Sequence, residues 1–245
     1  RGRVYGLMQE HVIEVLRSSP HWTDAVEAKF GFPLGGWNRS SYGREAVRGS
    51  RSSTHMTIAA YNGGWDEGEG PPQTNPASYF NVLSQVNQSA IPSARRHLEE
   101  RIAWREDGFE ARLGTYEAGP GYALNGLNNA RVTSKQRREQ ELVMKSKLAG
   151  TATLDSFLAR AAYDFDTQNF FTFSEGTHWS SHAKWYRGGQ AYPCYLWLEV
   201  FNDLTLGDML SVEVESVPTV DTRGFRRRRA IEGAPLAAAY VTADG

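Results

Sequence analysis

Apolar and polar positions follow two different rhythms along the chain, and the switches between them divide it into elements. Residues 4–18 place Val4, Leu7, Met8, Val12, Ile13, Val15 and Leu16 near helical spacing, and Pro20 closes the segment. Residues 25–34 carry a short apolar run, read as a strand that exits at Gly35, Gly36, Trp37 and Asn38. Residues 41–51 read as a short helix or turn. Residues 54–61 form a buried strand by length and β-branched content, stopping at Asn62, Gly63, Gly64, Trp65 and Asp66. A Gly/Pro-rich loop at 68–76 leads to a helical region over 77–105, with an interruption near Pro92. Residues 111–116 predict a third strand, which delivers Glu117 and breaks at Gly119, Pro120 and Gly121. Two helical stretches, 134–149 and 154–162, precede a fourth strand at 169–174, which stops at Glu175, Gly176, Thr177, His178 and Trp179. An aromatic-rich helix over 189–204 follows. From Asp208 the pattern becomes one of strands, at 210–217 and 234–241, with Arg226 to Arg229 between them.

Strands that alternate with helices imply parallel βαβ units, so the carboxyl ends of all four strands are expected on one edge. Each strand exit carries aromatic and polar residues: Trp37 and Asn38; Tyr61, Trp65 and Asp66; Tyr116 and Glu117; Glu175 and Trp179. The Gly-Gly-Trp repeat at 35–37 and 63–65 marks two equivalent exits. Carboxylates beside aromatic rings suit sugars, whose hydroxyls need acceptors and whose C–H faces stack on rings.

Charge and composition narrow the classes. A net charge of -1 over 245 residues gives no general attraction to nucleic acid. The four arginines at 226–229, with strands on both sides, read as a charged edge strand. Neither a nucleic-acid nor a membrane partner is expected, and no apolar run has membrane-spanning length. The one cysteine, Cys194, lies among apolar neighbours and reads as an inert buried thiol. His178 and His182 lack a third ligand at zinc spacing, and the acidic loop Asp66, Glu67 and Glu69 lacks EF-hand spacing, so no metal and no cofactor are expected. Both ends fall inside predicted structure, so a piece of a longer protein is the expectation. An extracellular or periplasmic location is preferred to a cytoplasmic one.

The four strand ends resemble the second half of the (β/α)8 TIM barrel of clan A retaining glycoside hydrolases, over residues 1–205. The resemblance rests on strand pattern and loop chemistry. It implies an α/β fold with only strands five to eight present, and a β-sandwich beginning within 206–245. It implies that Glu117, at the end of strand seven, is the nucleophile and that Trp179 floors the sugar subsite. Tyr61 is then a hydrogen-bond donor to the nucleophile. Trp37, Asn38, Trp65, Asp66, Tyr116 and Glu175 join them as carbohydrate-binding residues. The acid/base of the clan is a Glu after an Asn at the end of strand four, and no Asn-Glu pair occurs in this chain. The resemblance therefore places the acid/base upstream of Arg1, in the missing amino-terminal half or in another chain.

Retaining hydrolysis needs two carboxyl groups about 5–5.5 Å apart, one nucleophile and one acid then base. Glu117 supplies one. Glu175 is its rival, because it also ends a predicted strand before a glycine, and the two form an acid/base pair of their own if the barrel reading fails. Two further functions stay open: a hydrolase-derived subunit that no longer catalyses and serves binding or assembly, and a sugar-binding protein that keeps the Trp platforms.

Overall fold

The computed structural model describes residues 1–62, 89–120, 133–135, 138, 141–142, 145–174, 180–213, 215 and 238–241. Four strands make one parallel sheet in the order β1-β2-β3-β4: β1 Pro33–Gly35, β2 His55–Asn62, β3 Arg112–Pro120 and β4 Phe165–Phe170. Helices fill the intervals: α1 Gly2–Arg17 and α2 Asp24–Glu27 before β1, α3 Ser40–Val47 after it, α4 Ile91–Glu106 before β3, α5 Lys147–Ala161 before β4, and α6 Pro193–Leu204 after it. Sequential neighbours joined through helices are the arrangement that parallel pairing requires. The chain forms two compact units. The first holds Arg1–Ala60, Ser93–Ala118 and Tyr163–Asn169; the second holds Tyr61–Pro92, Gly119–Ala162 and Phe170–Gly245.

In the first unit, Leu34, Met56, Ile58, Leu113 and Trp104 are fully buried. The β1–β2 register pairs Leu34 with Met56 and Gly35 with Thr57. The Met56 sulfur fills a slot that two glycines leave open: a Cβ on Gly36 would meet it at 2.3 Å, and one on Gly43 of α3 at 2.8 Å. The Trp104 indole N–H donates to the Ala111 carbonyl at 3.0 Å, which fixes the end of α4 against the start of β3. At the start of the strands, Asp166 of β4 pairs with Arg112 of β3 at 2.7 Å and stands 3.4 Å from His55 of β2.

The first helix buries an unexpected face. Gly2, Gly6 and Ile13 are buried, whereas Val4, Leu7, Met8, Val12, Val15 and Leu16 are 43–65% exposed. The glycines let α1 lie directly on α3: a Cβ on Gly6 would sit 2.0 Å from the Ala46 carbonyl oxygen, and one on Gly49 at 2.4 Å from the Arg3 carbonyl oxygen. Backbone-to-backbone approach of this kind excludes larger side chains, so the apolar stripe faces outward.

Four strand boundaries differ from the sequence pattern, the last being the strand expected at 210–217, which among the described residues takes only Asp208–Leu210. Residues 25–34 are not one strand: α2 takes Asp24–Glu27, capped by the Thr23 hydroxyl accepting from the Val26 amide, and only Pro33–Gly35 pairs. β3 does not break after Glu117 but runs on through Gly119 to Pro120. Gly119 has φ +150°, and a Cβ there would meet the Phe170 ring at 3.0 Å, so glycine is what lets this strand continue. Pro120 is its last residue, where the missing N–H does no harm. β4 lies earlier than residues 169–174.

In the second unit, α5 packs on α6. Gly150 lies flat against Pro193 and Trp197, and Phe157 meets Phe201 edge to face at 5.7 Å. The Ser146 hydroxyl caps α5, and Pro193 opens α6 at its first turn. Cys194 is buried, and burial pushes its thiol up to about 11, the inert state expected of it. β5 Asp208–Leu210 pairs antiparallel with β6 Ala239–Val241.

Candidate functional site

The carboxyl ends of β1 and β3 bring four of the expected residues into the first unit: Trp37, Asn38, Tyr116 and Glu117. Two ladder-like bonds hold the exit from β1. The Gly36 amide donates to the Thr57 carbonyl at 2.6 Å, and the Ala59 amide donates to the Trp37 carbonyl at 3.1 Å. Between them Trp37 takes the left-handed backbone, φ +58°, which is costly for a bulky residue and is over-determined here by those bonds. Its ring is 61% exposed, with the Arg39 guanidinium 5.6 Å from its centre and Tyr42 at 6.3 Å. Trp37 is therefore an open aromatic face held on a fixed backbone. Asn38 is tied down: its Oδ1 accepts from the Ser93 hydroxyl of α4 at 2.7 Å.

Glu117 lies within β3, three residues before its end, and is half-buried. Its charge reaches the neighbouring phenol: burial first, then the Glu117 carboxylate and Tyr5, raise the Tyr116 pKa above that of a free tyrosine. Tyr116 and Glu117 are consecutive, and consecutive strand residues alternate faces. They therefore take different roles and do not line one surface together. Tyr116 reaches toward β1, because a Cβ on Gly35 would stand 3.9 Å from its ring and 3.6 Å from the Tyr5 hydroxyl.

That Tyr5 contact was not legible in the pattern. The Tyr5 hydroxyl accepts from the Gly35 amide at 3.1 Å, and its ring stacks on Tyr42 at 6.3 Å. Tyr5, Tyr42 and Trp37 thus make one aromatic row at the exit of β1. No local signal could reveal it, since Tyr5 and Gly35 are far apart in sequence and meet only because Gly2 and Gly6 set α1 down on α3. Similarly, the Thr115 hydroxyl of β3 accepts from the Asn169 amide of β4 at 2.9 Å, and the Asn169 side chain donates back to the Thr115 carbonyl at 3.0 Å. This exchange locks the strand that carries Glu117.

Tyr61 belongs to the second unit, where its ring meets Phe171 edge to face at 6.2 Å. Trp65, Asp66, Glu175 and Trp179 lie outside the described residues, as do Glu67, Glu69, His178 and the arginines at 226–229. Ser181 and His182 are described, and the Ser181 hydroxyl stands 2.9 Å from His182 Nδ1. The same hydroxyl donates to the Phe173 carbonyl at 3.2 Å, and the imidazole is packed between Phe173 and Tyr195. This is loop architecture. Among the described residues no group of three or more His, Cys, Asp or Glu side chains is placed to hold a metal, and no helix is long and apolar enough to cross a membrane.

No protein-family model matches the sequence, and no curated protein matches it. Solved structures do. The chain is similar over 100% of its length to an α-L-arabinofuranosidase from Thermotoga maritima, solved as an arabinose complex, at TM-score 0.59 and 12% identity. It is similar over 92% of its length to AbfB, a family 51 α-L-arabinofuranosidase from Bifidobacterium longum, at TM-score 0.63 and 11% identity. It spans 45% and 44% of those two chains. The parallel α/β fold is that of part of these clan A TIM-barrel glycosidases.

Proposed function

We propose that this chain is the carboxyl-terminal half-barrel of a retaining glycoside hydrolase, with β1 to β4 as strands five to eight and Glu117 as the nucleophile. The observation that carries the reading is the likeness of the whole chain to part of a TIM-barrel glycosidase, with Glu117 near the carboxyl end of the third of four parallel strands. Barrel chemistry is built at that end of the strands. In this reading Glu117 attacks the anomeric carbon and the leaving oxygen takes its proton from an acid/base outside this chain. The glycosyl-enzyme ester is then hydrolysed by water that the same group deprotonates. Trp37 offers its open ring face to the sugar, with Asn38 beside it at the exit of β1, and Tyr61, Trp65, Asp66, Glu175 and Trp179 are proposed as further substrate-binding residues. β5 and β6 open a β-sandwich within 206–245. An α-L-arabinofuranoside is the first substrate to test, because the similar structures are α-L-arabinofuranosidases.

The test is hydrolysis of aryl glycosides by the complete polypeptide. Glu117→Gln should lower kcat on the order of 10^4-fold. Glu117→Gly should recover turnover with azide and release a glycosyl azide of inverted configuration, as only loss of the nucleophile permits. Unchanged hydrolysis by Glu117→Gln sinks the assignment.

A second reading has its own support. The outward stripe of α1, from Val4 to Leu16, is an apolar face of the kind that marks an interaction site. We propose that the missing half-barrel, in the same or another chain, covers it. A non-catalytic subunit used in assembly needs that face and does not need Glu117. Tight association with no effect of Glu117→Gln on any activity of the assembly would select it.

A further inference from the structure

One aromatic feature lies outside the nucleophile strand. After β4 the chain returns on itself: His182 bridges Ala191, the Ala183 amide donates to the Gln190 carbonyl at 2.8 Å, and the Tyr192 amide donates to the Ser181 carbonyl at 2.8 Å. The tip of this closed loop is the short 3-10 turn Trp185–Arg187. Gly188 and Gly189 follow with φ of +98° and +60°, positions that only glycine takes without strain, and their amides bond back to the Trp185 and Lys184 carbonyls. The tip is therefore built rigidly, although Trp185 is 86% exposed and Tyr186 58%.

An indole left this open forgoes the burial that most tryptophans obtain. Here its surroundings have a defined chemistry. Trp185 meets Tyr186 edge to face at 5.8 Å. Two cations flank the tyrosine ring, Lys184 Nζ at 5.8 Å and the Arg187 guanidinium at 6.0 Å. Among the described residues neither cation has a carboxylate within ion-pair distance. An open indole face beside cations that meet no carboxylate among the described residues suits a sugar ring that stacks through its C–H face and carries an acidic group.

We propose that Lys184, Trp185, Tyr186 and Arg187 form a binding platform for an acidic glycan, in which Trp185 and Tyr186 stack against sugar rings and Lys184 and Arg187 pair with carboxylate or sulfate groups. The loop geometry is set before binding, so little ordering cost falls on association. The net charge of -1 means that attraction to a polyanion must come from this local patch and not from the molecule as a whole. The platform acts in binding alone, and its operation is independent of hydrolysis at Glu117.

The test is affinity electrophoresis of the complete polypeptide in gels containing polygalacturonate, a sulfated galactan or neutral arabinan. Retardation should occur in an acidic gel, and any retardation in arabinan, through the Glu117 site, should be left unchanged by Trp185→Ala. Polygalacturonate alone would assign a carboxylate ligand, and the sulfated gel alone a sulfate. Trp185→Ala, and Lys184→Ala with Arg187→Ala, should each weaken binding about tenfold or more. Salt should weaken it further in the wild type than in the double variant. Glu117→Gln should bind like the wild type, so that loss of hydrolysis and loss of binding are read separately. Equal mobility in all gels overturns the proposal. So does retardation that Trp185→Ala leaves unchanged, or a Trp185→Ala variant whose only change is its oligomeric state.

Discussion

The orientation of α1 can be tested by a substitution whose sign, and not only its size, depends on the structure. Gly6 lies in the interior of a 16-residue helix. On an exposed helical face, Gly→Ala stabilises by about 1 kcal/mol, because alanine loses less backbone freedom on folding. Here a Cβ on Gly6 meets the Ala46 carbonyl oxygen at 2.0 Å, the Gly49 Cα at 2.9 Å and the Ala46 carbonyl carbon at 3.0 Å. All three are backbone atoms, so no side chain can swing aside. The two helices must part by about 1 Å, and overpacking of this kind costs about 3 kcal/mol at the upper end of the usual range. The net expectation for Gly6→Ala is a loss of about 2 kcal/mol. With a urea slope of about 2 kcal/mol/M, the unfolding midpoint should fall by about 1 M. Met8→Ala is the partner measurement. Met8 is 65% exposed in this chain, so with the 245-residue chain measured by itself its truncation should change stability by no more than about 0.5 kcal/mol. If α1 instead turned its apolar stripe inward, both results would invert. Gly6→Ala would stabilise by about 1 kcal/mol, and Met8→Ala would cost about 2–5 kcal/mol. That outcome would refute the glycine-lined packing of α1 on α3, and with it the Tyr5 contact at the exit of β1.

Two further predictions concern pH and have opposite signs. Burial alone raises the Asp155 carboxyl of α5 from 3.8 to about 6, so the folded state holds its proton more tightly than the unfolded chain. Stability is full below pH 3.8 and falls as pH rises through about 6, by at most about 3 kcal/mol. Asp155→Asn should therefore raise the melting temperature at pH 7 and have no effect at pH 3.5. An equal gain at both pH values would refute the burial argument. His97 of α4 works in reverse: burial lowers its pKa, and Nδ1 lies 2.8 Å from the Ser93 carbonyl, to which the neutral ring donates. Its contribution is present above pH 6.5 and is lost as pH falls, because the unfolded chain takes up the proton first. His97→Gln should flatten the decline in melting temperature between pH 6.5 and 5, and an unaltered slope would show that another group causes it.

What could be read from sequence was the alternation of elements, and what could not was the geometry of close backbones. The four strands and their order followed from apolar runs set between helices, since hydrophobic period is a property of each segment by itself. The aromatic and polar residues at the β1 exit are legible as well, because Trp37 and Asn38 follow two glycines. The pattern misleads at α1 and at Gly119, where glycine takes the place of a side chain at a contact. Seven apolar residues spaced along 4–18 make a convincing buried stripe, yet six of them are exposed, because the contact surface of α1 is Gly2 and Gly6. A hydrophobicity pattern gives glycine no weight, although a glycine pair allows the nearest helix approach of all.

The same blindness displaced Glu117. Gly119, Pro120 and Gly121 have turn composition, and a break there makes Glu117 a residue of the rim. Gly119 instead uses its freedom to keep the strand extended at φ +150° against Phe170, so composition and conformation part company at that residue. The consequence for function is specific. A carboxylate inside a strand is held by the ladder on either side, and the Thr115–Asn169 exchange two residues earlier ties that strand to β4. A nucleophile must present one oxygen to one carbon with little freedom to wander, since misplacement by about 1 Å costs about a hundredfold in rate. A loop glutamate would have to be fixed by contacts of its own. Glu117 inherits its position from the sheet, so the correction to the strand boundary strengthens the case for a nucleophile at this residue even as it removes Tyr116 from the same surface.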